Sequence, residues 1–262
     1  MLTLERQTEI LEYLKQKKTA TVRELAAKLY VSDATIRRDL GEMETLGLLR
    51  RSHGGAVLLE KNRDELSVLV RMEQNADAKR VISDLVIPLI GDCSSVWMDS
   101  SSTVHFLSTV WRPSRKTVFT TGVQTALELS KLPDVQVVMP GGVLKFHTDS
   151  LEGEVTRDQM RSFFADAMIC SCGGIGEDGS VTESTLSQCA IKQGMMLQSQ
   201  RRILVADSSK LGERRAFRIG NLQDFHVLVT NQLPSREFLT LCREHHVCCI
   251  CPEHQMSGRE EE

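Results

Sequence analysis

From Ala76 onward, short apolar runs alternate with longer segments of helical spacing, and this alternation limits the fold more than any other feature of the chain. The runs cover 95–99, 117–121, 135–140, 167–172, 202–207, 226–230 and 247–251. Between most of them lie helical patterns, at 104–110, 123–131, 186–200 and 236–245. Short apolar strands that alternate with helices belong to sheets covered on both faces. Strands that take turns with helices build a mainly parallel sheet flanked by helices. The sequence therefore predicts an α/β domain over 76–252.

A different pattern precedes it. Ile10, Leu11 and Leu14 give a first helix its apolar stripe. Thr21-Val22-Arg23-Glu24 has the form of a capping box, and Val22, Leu25, Ala26 and Leu29 continue a second helix. After the short Tyr30-Val31 connection, Ser32 is placed to cap a third helix that buries Ile36, Leu40 and Met43. Gly47 ends that helix, and residues 48–57 read as two short strands around a turn. Two short helices, a tight turn and a hairpin make a winged helix-turn-helix over 1–57. Residues 58–75 read as a linker, and 253–262 as a tail with an acidic end.

Charge narrows the function classes. Residues 1–61 carry eleven Lys and Arg against nine Asp and Glu; the rest carry 21 against 26. With no basic tail, nucleic acid must be met by placed cations rather than bulk charge. Aromatic residues at 5% are too few for a base-stacking platform. No apolar run approaches the length of a membrane span, and no leader pattern opens the chain, so a cytoplasmic protein without a membrane partner is expected. The eight cysteines follow no disulfide framework. Cys242, His245, His246, Cys248, Cys249, Cys251 and His254 have the composition of zinc ligands. Alternation along the 247–251 strand sends those cysteines to opposite faces, which favours buried thiols over a metal site. No cofactor is expected.

On the third helix, Ser32, Thr35, Arg37 and Arg38 lie off the buried face, where hydroxyls and arginine forks suit phosphates and guanine edges of double-stranded DNA. Arg50, Arg51 and His53 place further donors on the wing. Asp39 is expected to pair with a neighbouring arginine or to cap structure rather than to touch DNA. The stretch Val31-Ser32-Asp33-Ala34-Thr35-Ile36-Arg37-Arg38-Asp39-Leu40, followed by Leu46-Gly47 and Arg51-Ser52-His53-Gly54-Gly55-Ala56, closely resembles the DeoR family of bacterial sugar-operon regulators. That resemblance implies a homo-oligomer, dimer or tetramer, that binds operator DNA and usually represses until a phosphorylated sugar or related metabolite binds.

In the second domain, Asp99-Ser100-Ser101-Ser102-Thr103 follows a predicted strand and opens a predicted helix, the place where free amides cradle phosphate. Thr121-Gly122, Gly141-Gly142 and Gly174 end other strands and are expected to line the same pocket. Asp207-Ser208-Ser209-Lys210 adds a cation, and the resemblance gives Lys210 a ligand role; Lys192 and Lys145 are further candidates. The family usually has glycine at Ser101 and asparagine at Thr121. It also implies a ribose-5-phosphate-isomerase-like fold for this domain. Residues 174–183 look like a segment of glucosamine-6-phosphate deaminase, in which Asp178 and Glu183 would supply carboxylates. Ser180 stands where that enzyme has histidine, so Asp178 is read as an effector contact in a sensor rather than as a catalytic acid. Two alternatives remain at this point. One is an isomerase- or deaminase-like enzyme with an added DNA-binding domain; the other is a regulator whose sensor has lost its ligand.

Overall fold

The computed structural model describes residues 3–45, 48–52, 54–58, 71, 74–145 and 148–252, and it divides into two compact units, residues 1–70 and 71–262. Gly47, His53, most of the expected linker and the 253–262 tail, with His254, lie outside the described residues. Among the described residues no helix is long and apolar enough to cross a membrane.

The first unit runs α1 (Thr3–Lys17), β1 (Thr19–Thr21), α2 (Val22–Leu29), α3 (Asp33–Thr45), β2 (Leu49–Ser52) and β3 (Gly55–Leu58). Thr21 Oγ1 accepts the Glu24 amide at 3.2 Å and Glu24 Oε2 accepts the Thr21 amide at 2.7 Å, so the capping box starts α2 as expected. The helix stops at Tyr30, whose left-handed φ of 54° turns the chain sharply into the Ser32 cap of α3. Ile10, Leu14, Leu25, Ile36, Leu40, Met43 and Leu49 meet in one core, each at most 1% exposed. The hairpin of β2 and β3 gains a third antiparallel strand, β1, on the far side of β3. Sequence reading missed β1, because three residues are too few to show a period.

The second unit contains α4 (Ala76–Val86), β4 (Ser95–Met98), α5 (Ser102–Val110), β5 (Lys116–Thr120), α6 (Val123–Leu129) and β6 (Val135–Val138). A hairpin of β7 (Val143–Lys145) and β8 (Ser150–Glu152) follows, then α7 (Glu154–Met160), β9 (Ala165–Ser171), β10 (Gly174–Ile175) and β11 (Ser180–Glu183). The chain continues through α8 (Leu186–Leu197), β12 (Ser199–Val205), β13 (Phe217–Asn221), β14 (Val227–Val229), α9 (Arg236–Glu244) and β15 (Cys248–Ile250). Seven strands form one sheet in the order β15-β14-β12-β9-β4-β5-β6, and every neighbouring pair is parallel. These are the seven runs read from the sequence.

Both faces are covered, as the short apolar runs require. Trp97, Met168, Cys170 and Leu204 pack beneath Cys189 and Met195 of α8 and Phe238 of α9. Their strand neighbours Val96, Met98, Ala167, Ile169, Ile203 and Val205 face the opposite way, against Ile82 and Val86 of α4 and Val104 and Leu107 of α5. A small antiparallel sheet, β10-β11-β13, lies outside this frame.

Candidate functional site

The recognition helix is held before it meets any ligand. Asp39, 1% exposed, turns inward from α3 and receives Arg6 of α1 through two hydrogen bonds of 2.5 and 2.9 Å. This is the arginine pairing expected for it. On the outer face, Arg37 lies 3.7 Å from Asp33 and Arg38 lies 3.2 Å from Glu42, with side chains 60% and 82% exposed. Ion pairs this exposed contribute little, so both arginines are available to an anionic partner. Ser32 and Thr35 share a 2.9 Å hydroxyl contact, and Ser32 Oγ also accepts the Thr35 amide; both hydroxyls belong to the cap first.

On the wing, Arg50 and Arg51 are adjacent on β2 and so project to opposite faces. The Arg51 amide donates to Glu44 of α3 at 2.7 Å, and its guanidinium lies beside Gly41 of the same helix. Arg51 thus augments the surface of α3, whereas Arg50 points away from it. Tyr30, 95% exposed beside Ser32, joins this surface and was not singled out from the sequence.

In the second unit the sheet has a switch point between β4 and β9. From β4 the chain builds outward through β5 and β6; from β9 it builds the other way through β12, β14 and β15. Loops diverge at such a point and leave a crevice at the carboxyl ends of the strands. Asp99 bridges the two loops there. Its Oδ1 accepts the Ser101 amide and its Oδ2 the Ser171 amide, each at 2.9 Å. Each oxygen holds one amide, so Asp99, expected as an effector contact, also staples the two turns.

Ser101 caps α5 through the Val104 amide at 3.3 Å, with φ −68°. That extended backbone asks nothing of glycine, so Ser101 introduces no strain. Among the described residues the Ser102 and Thr103 amides, donors of the first turn of α5, meet no partner. The loop after β5 closes on this turn. A side chain at Gly122 would press against Ser100, its Cβ 2.9 Å from the Ser100 Cα. Thr121 is fully buried and its hydroxyl contacts Ser150 at 3.4 Å.

Lys210 reaches the crevice from the turn after β12. Its Nζ donates to Ser171 Oγ at 2.8 Å and lies 3.8 Å from Asp207. Burial works against the Asp207 carboxylate, but Lys210 and the Ser209 hydroxyl hold it below its ordinary range. Lys192, 3% exposed, forms ion pairs with Glu183 and, at 3.5 Å, with Asp99. Burial alone would discharge it; Glu183 and Asp99 instead raise it above its ordinary value. Beside these groups, burial pushes the Cys172 thiol up to about 11, so it stays neutral.

Four expected residues sit elsewhere. The Gly141 amide and carbonyl are taken by Gln159 and Thr156 of α7, and Gly142, at φ 145°, has no room for a side chain beside Thr156. Gly174 packs on Glu213, and its carbonyl accepts the Thr182 hydroxyl. Asp178 is displaced furthest. The hairpin of β10 and β11 carries it back towards Gln223 and His245, which precede β14 and β15. It therefore lies near the amino ends of the strands, paired with Arg214 and Arg218. Lys145 lies on exposed β7. Glu152, Gln188 and Arg215, by contrast, approach the crevice although the sequence did not mark them: Gln188 accepts from Ser100 at 3.2 Å, and Arg215 packs against Gly173.

A winged helix-turn-helix in one unit and a switch-point crevice in a parallel α/β unit define a DNA-binding regulator with a ligand-sensing domain. Residues 6–62 match the DeoR-like helix-turn-helix domain and residues 74–232 the DeoR C terminal sensor domain; the chain belongs to the DeoR family. It is similar to the uncharacterized HTH-type transcriptional regulator YulB of Bacillus subtilis, 30% identical over 88% of this chain and 90% of the relative. It is also similar to the L-fucose operon activator of Haemophilus influenzae, 28% identical over 92% and 97% of the two chains. The glycerol-3-phosphate regulon repressor of Escherichia coli is 27% identical over 94% and 98%. Among solved structures, a D-ribose-5-phosphate isomerase in complex with phospho-erythronic acid aligns at 13% identity over 52% of this chain and 54% of its own, with a TM-score of 0.38. At that distance the likeness decides nothing about this chain.

Proposed function

We propose that this regulator represses a carbohydrate-metabolism operon and that a phosphorylated sugar or related metabolite, bound at the switch-point crevice, relieves the repression. The observation that carries this reading is the convergence of the first turn of α5 with Lys210 on the two sides of Asp99. An anion there meets the first-turn amides of Ser102 and Thr103, the Ser100 hydroxyl and an ammonium that contacts Ser171 and lies 3.8 Å from Asp207. Lys192 is already neutralised by two carboxylates and serves to hold the floor. The name of the glycerol-3-phosphate regulon repressor supports the ligand class. On the DNA side, Arg37 and Arg38 dock the operator, and a homo-oligomer in the cytoplasm brings two half-sites within reach.

Glu183 is committed to Lys192 and Asp178 lies at the other end of the sheet, so the two carboxylates do not converge on a substrate. That supports a sensor rather than an isomerase or deaminase. The test is thermal melting of the full chain against a panel of sugar phosphates with the unphosphorylated sugars as controls. A phosphorylated compound at a hundred times its dissociation constant adds about 2.7 kcal/mol to the stability of the unit that binds it. Lys210→Ala removes that shift. A panel without any shift, or a shift unchanged in Lys210→Ala, overturns the assignment.

A further inference from the structure

We propose that Glu152 reads the hydroxylated carbon chain of the effector and rejects effectors that carry a second acid group beside the phosphate. The proposal rests on the crevice being the phosphate site and adds what lies next to that phosphate. Strand β8 crosses the carboxyl ends of the sheet, bridged to Gly122 at Ser150 and hydrogen-bonded to the Thr121 carbonyl through the Leu151 amide. Ser150 and Glu152, two residues apart, share the buried face of β8, at 0% and 3% exposure. Glu152 Oε1 accepts the Gln188 Nε2 at 2.5 Å and the Thr148 hydroxyl at 3.1 Å; Gln188 in turn accepts the Ser100 hydroxyl at 3.2 Å. Two hydrogen bonds therefore separate this carboxylate from the phosphate turn.

Glu152 differs from the other carboxylates of the crevice. Asp99, Glu183 and Asp207 each face a lysine, whereas among the described residues Glu152 faces no cation and its Oε2 takes no hydrogen bond. A buried carboxylate in that position gains from each donor brought to it and loses from each further anion. Among the described residues the Thr125 hydroxyl, 1% exposed, also has no partner, and it packs near Gly122 where that residue meets Ser100. Hydroxyls on a carbon chain supply the donors that Glu152 lacks. A carboxylate on the same chain sets two anions together where water is scarce.

The experiment measures dissociation constants by titration calorimetry on the full chain. The ligands are inorganic phosphate and two matched pairs, glycerol 3-phosphate with 3-phosphoglycerate and glucitol 6-phosphate with 6-phosphogluconate. In the wild type the hydroxylated member of at least one pair binds about tenfold or more tightly than its acid partner. Glu152→Gln brings that ratio close to one, mainly by gaining affinity for the acid, and leaves inorganic phosphate unchanged. Gln188→Met keeps the charge but removes the positioning donor, so the acid stays excluded while the hydroxylated ligand weakens. A wild type without preference in either pair, or a preference that survives in Glu152→Gln, overturns the role of Glu152 alone. Binding that is absent for all five ligands, or identical in Lys210→Ala, overturns the phosphate site and this proposal with it.

Discussion

Lys192 carries a full charge into a place with 3% exposure, and it is tolerable there only because Glu183 and Asp99 face it. Replacing one member of such a group leaves the others charged, buried and unpaired, which costs about 3–5 kcal/mol. Lys192→Met is therefore expected to lower the stability of the sensor unit by that amount in urea denaturation; wild-type stability in the variant would show that the three charges do not depend on one another. The same group sets an acid limit. Burial alone would raise Glu183, but Lys192 pulls it below its ordinary range, so its folded pKa lies under the unfolded one. Stability from that difference is complete above about pH 4.3, the unfolded carboxylate value, and disappears as pH falls through the folded pKa. Denaturation at stepped pH should show a steeper acid loss in the wild type than in Lys192→Met. The raised ammonium also has a chemical consequence: at neutral pH it is no amine nucleophile, which suits a residue that holds the floor of a binding site.

Among the elements, the wing makes the clearest demand on particular residues. Gly55 pairs with Thr21 of β1 and with Ser52 of β2, and a Cβ there would run into the Ala20 carbonyl. Gly54 has open space around it but a φ of 91°. The two glycines thus fail for different reasons when replaced by alanine. Gly55→Ala must push β1 away, at about 1–3 kcal/mol or more because backbone cannot repack. Gly54→Ala pays only the left-handed penalty, about 1–2 kcal/mol. Melting of the DNA-binding unit should fall further for Gly55→Ala, and the reverse order would mean that β1 yields. How elements were legible follows from their length and burial. Each strand of the parallel sheet carries a short apolar run, because most of it is covered on both faces, and all seven could be read. The β7-β8 hairpin, the β10-β11-β13 sheet and α7 are short, of two to seven residues, and show no period to read. The site divides the same way. Ser100 to Thr103, Gly122 and Lys210 are local to strand ends, where residue type and position suffice to nominate them. Glu152 and Gln188 become neighbours only through the pairing of β8 and the packing of α8, and Asp178 moves away because a hairpin reverses the chain.

At the scale of the molecule, the proposed operator surface and the proposed effector crevice belong to separate compact units, and regulation through them requires a free energy that links them. Linkage is reciprocal whatever structure carries it. If an effector weakens operator binding by some factor, saturating operator weakens effector binding by the same factor, typically about 5–150-fold. The two halves of this cycle can be measured independently on the full chain. Calorimetry gives the effector dissociation constant with and without a duplex taken from the promoter of the regulated operon, and fluorescence anisotropy gives the operator constant with and without effector. Arg38→Ala separates the sites. It should weaken operator binding by about 1–3 kcal/mol if the fork reads a guanine, while the effector constant measured without DNA stays at its wild-type value. Equal factors from the two directions would show that the effector measured by calorimetry is the one whose binding weakens the operator complex. Unequal factors would mean that the loss of operator binding comes from something other than occupancy of the crevice, such as competition of the anionic ligand for Arg37 and Arg38 at the DNA surface itself. An effector constant that shifts in Arg38→Ala would point the same way, because no residue of the crevice has been changed.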